Sequence, residues 1–220
     1  MALPEEKGAN RTAEEKETGR IEAFSDGVFA IAVTLLVLNL KVPQLGTPPT
    51  SGDLAGALGA GWPSYVAFSI SFITVLIMWV HHHSIFKLVQ RVDATLLFAN
   101  GFLLLLVTAV PFPTAIVAQY LTTPAARAAG AAYAGLFVLI GLGFNLLWWS
   151  VVYRRRLLHH DVPNALVRSV TRSALIGPLL YAGAAALALW NAYVSLALCF
   201  VLMLFWAASA YDRPGREPAT

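Results

Sequence analysis

Charge is scarce in this chain. Only 12% of its 220 residues are Asp, Glu, Lys or Arg, while 58% are hydrophobic, and soluble domains carry roughly twice that share of charge. A water-soluble fold is excluded by this balance, and an all-α integral membrane protein is expected. Cysteine is almost missing: Cys199 stands alone in an apolar run, so no intramolecular disulfide can form and the residue reads as a small hydrophobe. Residues 1–19 lack the apolar core of a signal peptide; Glu alternates there with Lys and Arg among Gly, Asn and Thr, as in a solvated tail. No GxSxG, HExxH or GxxxxGK[ST] signature occurs, so neither an enzyme nor a cofactor is expected. No short internal repeat is visible.

What is present is six long apolar runs, at about residues 20–41, 62–80, 94–120, 130–153, 173–190 and 192–210, followed by a second tail at 211–220. Residues 42–61 are rich in Pro, Gly, Thr and Ser and read as a long loop. Pro111 and Pro113 are expected to kink the third span or to end its regular part. Trp148, Trp149 and Tyr153 read as an interfacial belt, and the last two spans as an antiparallel hairpin. Thirteen of the 15 Lys and Arg residues fall on the side of the two tails and only Lys41 and Arg127 on the other. The positive-inside rule therefore places both termini in the cytoplasm. Topology also accounts for the net charge of +3, so no nucleic-acid partner is expected.

The first span carries the only sharp chemical signal. Between Ala23 and Leu40 the single formal charge is Asp26, and an acid inside a membrane helix must face protein or water and have a partner. At about 100° per residue, Ile31, Thr34, Leu35 and Leu38 share one stripe, which Gly27 and Phe24 extend, while Asp26 lies about 140° away. The stripe has two readings at this point: a lipid-facing or packed apolar surface, or a functional one. Asp26 lies near the cytoplasmic end, as do Trp79 and His81–His83 at the end of the second span. A hydrogen-bonded set of Ser25, Asp26, one histidine and the Trp79 indole is expected, with Asn100 and Asp93 as possible further members and the dipole of the first helix's N-terminus favouring the carboxylate. Three consecutive histidines point about 100° apart and cannot converge on one metal ion, so no metal site is assigned.

The run RxxxFSDGVFAIxxTLLVL from Arg20, together with WVHHHSIF from Trp79 and NGFLLLLVTAVPFPT from Asn100, resembles the prokaryotic branch of the transmembrane protein 175 family, potassium channels with six helices per repeat. The resemblance implies a multi-pass protein of the cell membrane in which residues 20–210 form the channel domain. It also implies passive, potassium-preferring conduction and a homotetramer around the first helix. Ile31, Leu35 and Leu38 would then line and constrict the pore, with Thr34 at the selectivity position. Arg20, Phe24, Ser25, Asp26, Trp79, His82, His83 and Asn100 would form a structural network beside the pore. No TVGYG-like filter lies between any two spans, so selection would rest on apolar rings and the threonine. Two alternatives stay open from the residues alone: a proton-coupled transporter using Asp26, and a membrane scaffold.

Overall fold

The computed structural model describes the backbone of residues 4–155 and 157–211 and the side chains of 16–209 other than 154 and 156. The elements in order are α1 (Pro4–Leu35), a 3-10 turn (Leu36–Asn39), α2 (Ser51–Ala60), α3 (Trp62–Phe86), α4 (Ala94–Thr108), α5 (Pro111–Tyr120), α6 (Ala126–Val152), a second 3-10 turn (Tyr153–Arg155), α7 (Asn164–Trp190) and α8 (Ala192–Tyr211). Among the described residues, six stretches are long and apolar enough to cross a membrane: Lys16–Asn39, Trp62–Phe86, Ala94–Tyr120, Ala126–Val152, Asn164–Trp190 and Ala192–Ser209. The third combines α4 and α5. It breaks at Ala109 and Val110, and Pro111 and Pro113 sit in the first turn of α5, where a missing N–H leaves no helical bond unmade.

Several helices run past the limits set by hydropathy. α7 begins at Asn164 rather than near 173, α6 at Ala126 rather than 130, and α3 continues through the histidines to Phe86. Hydropathy marks where a helix enters hydrocarbon, whereas the hydrogen-bonded backbone continues through polar turns of good helix formers. For the same reason the tail expected over 1–19 is helical from Pro4 and continuous with the first span. Asp26 therefore lies in a helix interior, and no N-terminal dipole supports it. The expected loop at 42–61 also needs correction, because it contains α2. Thr50 caps that helix: its hydroxyl accepts from Asp53 N at 3.2 Å, and Asp53 Oδ2 accepts from Thr50 N at 3.0 Å. The T-x-x-D spacing that announces such a box was there to be read. The Thr50 hydroxyl and N–H together hold the Asp53 carboxyl below the usual carboxylate range.

α6 is the central strut, packing against α4, α5, α7 and α8, whereas α1 sits at the edge on α3 and α4. Polar bonds lock this bundle where hydrocarbon leaves no water to satisfy them. Ser71 Oγ on α3 lies 2.8 Å from Thr114 Oγ1 and 3.0 Å from Tyr133 Oη, joining three helices. In α7, Pro178 has no N–H for the carbonyl of Ala174 one turn back. Asn145 of α6 supplies the replacement, its Nδ2 donating to Ala174 O at 2.6 Å and to Gly141 O at 2.8 Å. Gly141 lets the two helices approach at this joint, since a Cβ there would lie 3.0 Å from Pro178 Cγ and would have to push the proline aside by a few tenths of an ångström. Asn145→Leu is expected to leave the Ala174 carbonyl unpaired and to cost about 1–3 kcal/mol. Thermal unfolding of the detergent-purified protein reads this as a lowered midpoint; an unchanged midpoint would show that the proline gap needs no donor.

Candidate pore helix and its anchor

α1 has two faces with different fates. Ser25, Phe29 and Ala32 are buried at i, i+4 and i+7, packed on α3 and α4, and Leu36 continues this face into the 3-10 turn, which packs on α3 and α5. On the other side Phe24 is 66% exposed, Ile31 57%, Leu35 41% and Leu38 70%, with Gly27 and Thr34 also open. Among the described residues nothing covers this stripe. Its upper part straddles the change from α-helix to 3-10 turn after Leu35. Residues three apart eclipse in a 3-10 turn, which favours alignment of Leu38 above Leu35. Asn39 at the end of the turn donates to Pro111 O at 3.4 Å, tying this end of α1 to the break in the third span.

The Thr34 hydroxyl has a defined orientation. It donates its hydrogen to Ile31 O at 2.9 Å. A hydroxyl whose proton is engaged by its own helix keeps free lone pairs, which is the geometry needed to coordinate a cation.

The expected polar set separates into two layers. The inner layer is buried: Asn100 Nδ2 donates to Ser25 Oγ at 2.9 Å, Ser25 Oγ donates to Ile21 O at 2.9 Å, and His82 Nε2 lies 2.9 Å from Asn100 Oδ1. Because that amide oxygen only accepts, His82 carries its proton on Nε2. The His82 ring stands between Phe29 and Phe86, with centroids 5.3 and 4.5 Å away, and among the described residues its Nδ1 has no hydrogen-bond partner. The outer layer is half-buried. Trp79 Nε1 donates to Asp26 Oδ1 at 2.7 Å. His83 Nδ1 meets Glu22 Oε1, and the His83 ring stacks on Trp79 at 6.0 Å and 16°. Two acids four residues apart on α1 thus face two ring N–H groups four residues apart on α3.

This arrangement corrects parts of the expected set. No histidine bonds Asp26; the indole does, while His83 takes Glu22 and His82 takes Asn100. Arg20 is exposed and has no hydrogen-bond or ion-pair partner among the described side chains. Phe24 lies on the open stripe. Both therefore stand outside the network among the described residues, because the helical period carries them to the uncovered side. Asp93 is the N-cap of α4, accepting from Leu96 N at 2.9 Å. Glu22 was missed as a network member, although its i, i+4 spacing to Asp26 opposite Trp79 and His83 was a usable signal.

The family model described as endosomal/lysosomal potassium channel TMEM175 matches residues 20–111, which include the stripe and both polar layers. A potassium channel of Chamaesiphon minutus is 50% identical over 194 residues, covering 88% of this chain and 95% of that protein. A potassium channel of Streptomyces collinus is 43% identical over 204 residues, covering 92% and 98%. Among solved structures, the crystal structure of a lysosomal potassium-selective channel TMEM175 homolog from Chamaesiphon minutus superposes with a TM-score of 0.80 at 47% identity, covering 89% of this chain and 98% of that one. Similar to these proteins along nearly its whole length, and folded in the same six-span arrangement, this chain belongs to the TMEM175 family of ion channels.

Proposed function

We propose that this protein is a passive, potassium-preferring channel of the cell membrane, with both termini cytoplasmic and four copies of α1 surrounding the pore. The carrying observation is the α1 stripe: Ile31, Thr34, Leu35 and Leu38 are uncovered in the subunit while the opposite face is anchored by two polar layers. A single helix cannot enclose a path for ions, so closure requires symmetric copies. Rings of Ile31, Leu35 and Leu38 narrow such a path and oppose ion passage, because an ion stripped of water in an apolar ring loses much of its solvation. The Thr34 ring offers oxygen lone pairs in place of hydration water, and this exchange favours potassium, whose water is held less tightly than that of sodium. Arg20 lies at the cytoplasmic rim on the same side of α1, where a bulky, exposed cation sits in bulk water and its field is screened within about 8 Å at physiological ionic strength.

Thr34→Val tests this reading, because it keeps the shape nearly constant and removes the oxygen. Assembly is expected to survive while the potassium-over-sodium permeability ratio falls several-fold, measured from reversal potentials in planar bilayers. An unchanged ratio in protein that still conducts would take Thr34 out of the selection step.

A further inference from the structure

α7 carries a stripe that the channel reading does not use. Arg168, Arg172, Leu175 and Leu179 fall within about a 60° arc of the helix. The face packed on α6 and α8, with Gly177, Tyr181, Ala184 and Ala188, lies on the opposite side. Leu175 is 59% exposed and Leu179 72%. Both arginines are exposed, and neither guanidinium has a hydrogen-bond or ion-pair partner among the described residues. Depth follows from length. α7 has 27 residues, about 40 Å of helix against a hydrocarbon core of about 30 Å. Measured back from Trp190, at its far end, the core boundary falls between Arg168 and Arg172. An independent marker agrees: Trp148 Nε1 donates to Thr171 Oγ1 at 2.9 Å, which sets the neighbouring Trp149 and Tyr153, both exposed, at the depth of the arginines. Such aromatic side chains mark the headgroup level.

We propose that Arg168 and Arg172 hold the phosphate of an anionic phospholipid in the cytoplasmic leaflet, with one acyl chain lying along Leu175 and Leu179. The pair of guanidiniums one turn apart matches a phosphate with parallel N–H donors. The uncovered leucines below supply the apolar track that a free anion would not need. The site rests on the orientation with cytoplasmic termini and is independent of conduction, so its failure and that of the channel reading are separable.

The test places the purified protein in phosphatidylcholine vesicles and adds phosphatidylglycerol or phosphatidylcholine with brominated chains. Quenching of Trp149 is the readout, isolated as the difference from Trp149→Phe. The wild type is expected to prefer the glycerol lipid, by about fivefold per arginine. Arg168→Gln combined with Arg172→Gln removes the preference, and the double lysine variant, which keeps charge and topology, retains part of it. Millimolar inorganic phosphate leaves the wild-type preference intact. Equal quenching by both lipids in the wild type, preference kept in the double glutamine variant, or its abolition by inorganic phosphate would each overturn the proposal.

Discussion

Ile31→Asn is expected to raise the current carried by the assembled protein by an order of magnitude or more. Ile31 lies one turn below Leu35 on the open stripe and is 57% exposed in the subunit. In a fourfold arrangement it forms an apolar ring through which water and ions pass at a large desolvation cost. An amide at each position lets water remain, and each 1.4 kcal/mol taken from the barrier multiplies the rate about tenfold. On a lipid-facing or packed surface the same change has a different signature. It costs insertion or stability and opens nothing. Bilayer currents from protein verified as assembled by size-exclusion chromatography separate the two. Currents no larger than wild type, from intact oligomers, would remove this face of α1 from the conduction path.

Asn100→Leu is expected to be among the most damaging single changes for folding. The residue is 3% exposed and bridges Ser25, which donates onward to Ile21, and His82, whose Nδ1 already has no partner. Leucine fills a similar volume but leaves the Ser25 hydroxyl without its donor and the His82 N–H without an acceptor. Each unsatisfied buried group costs about 1–3 kcal/mol. Trp79→Phe makes the contrast. It removes the donor to Asp26, a half-buried carboxylate that water can reach, so its cost is expected to be smaller. Thermal unfolding of both variants in detergent gives the order directly. A midpoint for Asn100→Leu above that of Trp79→Phe would show that the outer layer, not the inner one, holds α1 to the bundle.

Much of this organisation is legible in the sequence because the membrane makes the code simple. Apolar run length gives the spans, the sidedness of Lys and Arg gives an expected orientation, and the helical period sorts α1 into the stripe from Phe24 to Leu38 and a packed side beginning at Ser25. What the period cannot supply is depth along a neighbouring helix. Three consecutive histidines on α3 meet three different partners, Trp206 O, Asn100 and Glu22, and only the relative height of α1, α3 and α4 decides which faces which. The extra helical turns at the start of α7 were hidden for another reason. Arg168 and Arg172 lower hydropathy without weakening the helix. The Asn145 donor to α7 was hidden too, since nothing in the local sequence links an asparagine to a proline gap 33 positions away in the chain.

The most direct measurement of the central claim is the reversal potential of purified wild-type protein in planar bilayers, with potassium chloride on one side and sodium chloride on the other. A passive pore lined by the Ile31, Thr34, Leu35 and Leu38 stripe predicts channel-sized currents that reverse displaced toward the potassium equilibrium potential. Currents that reverse at zero under these gradients, or proton-driven flux with no channel-sized events, would contradict it.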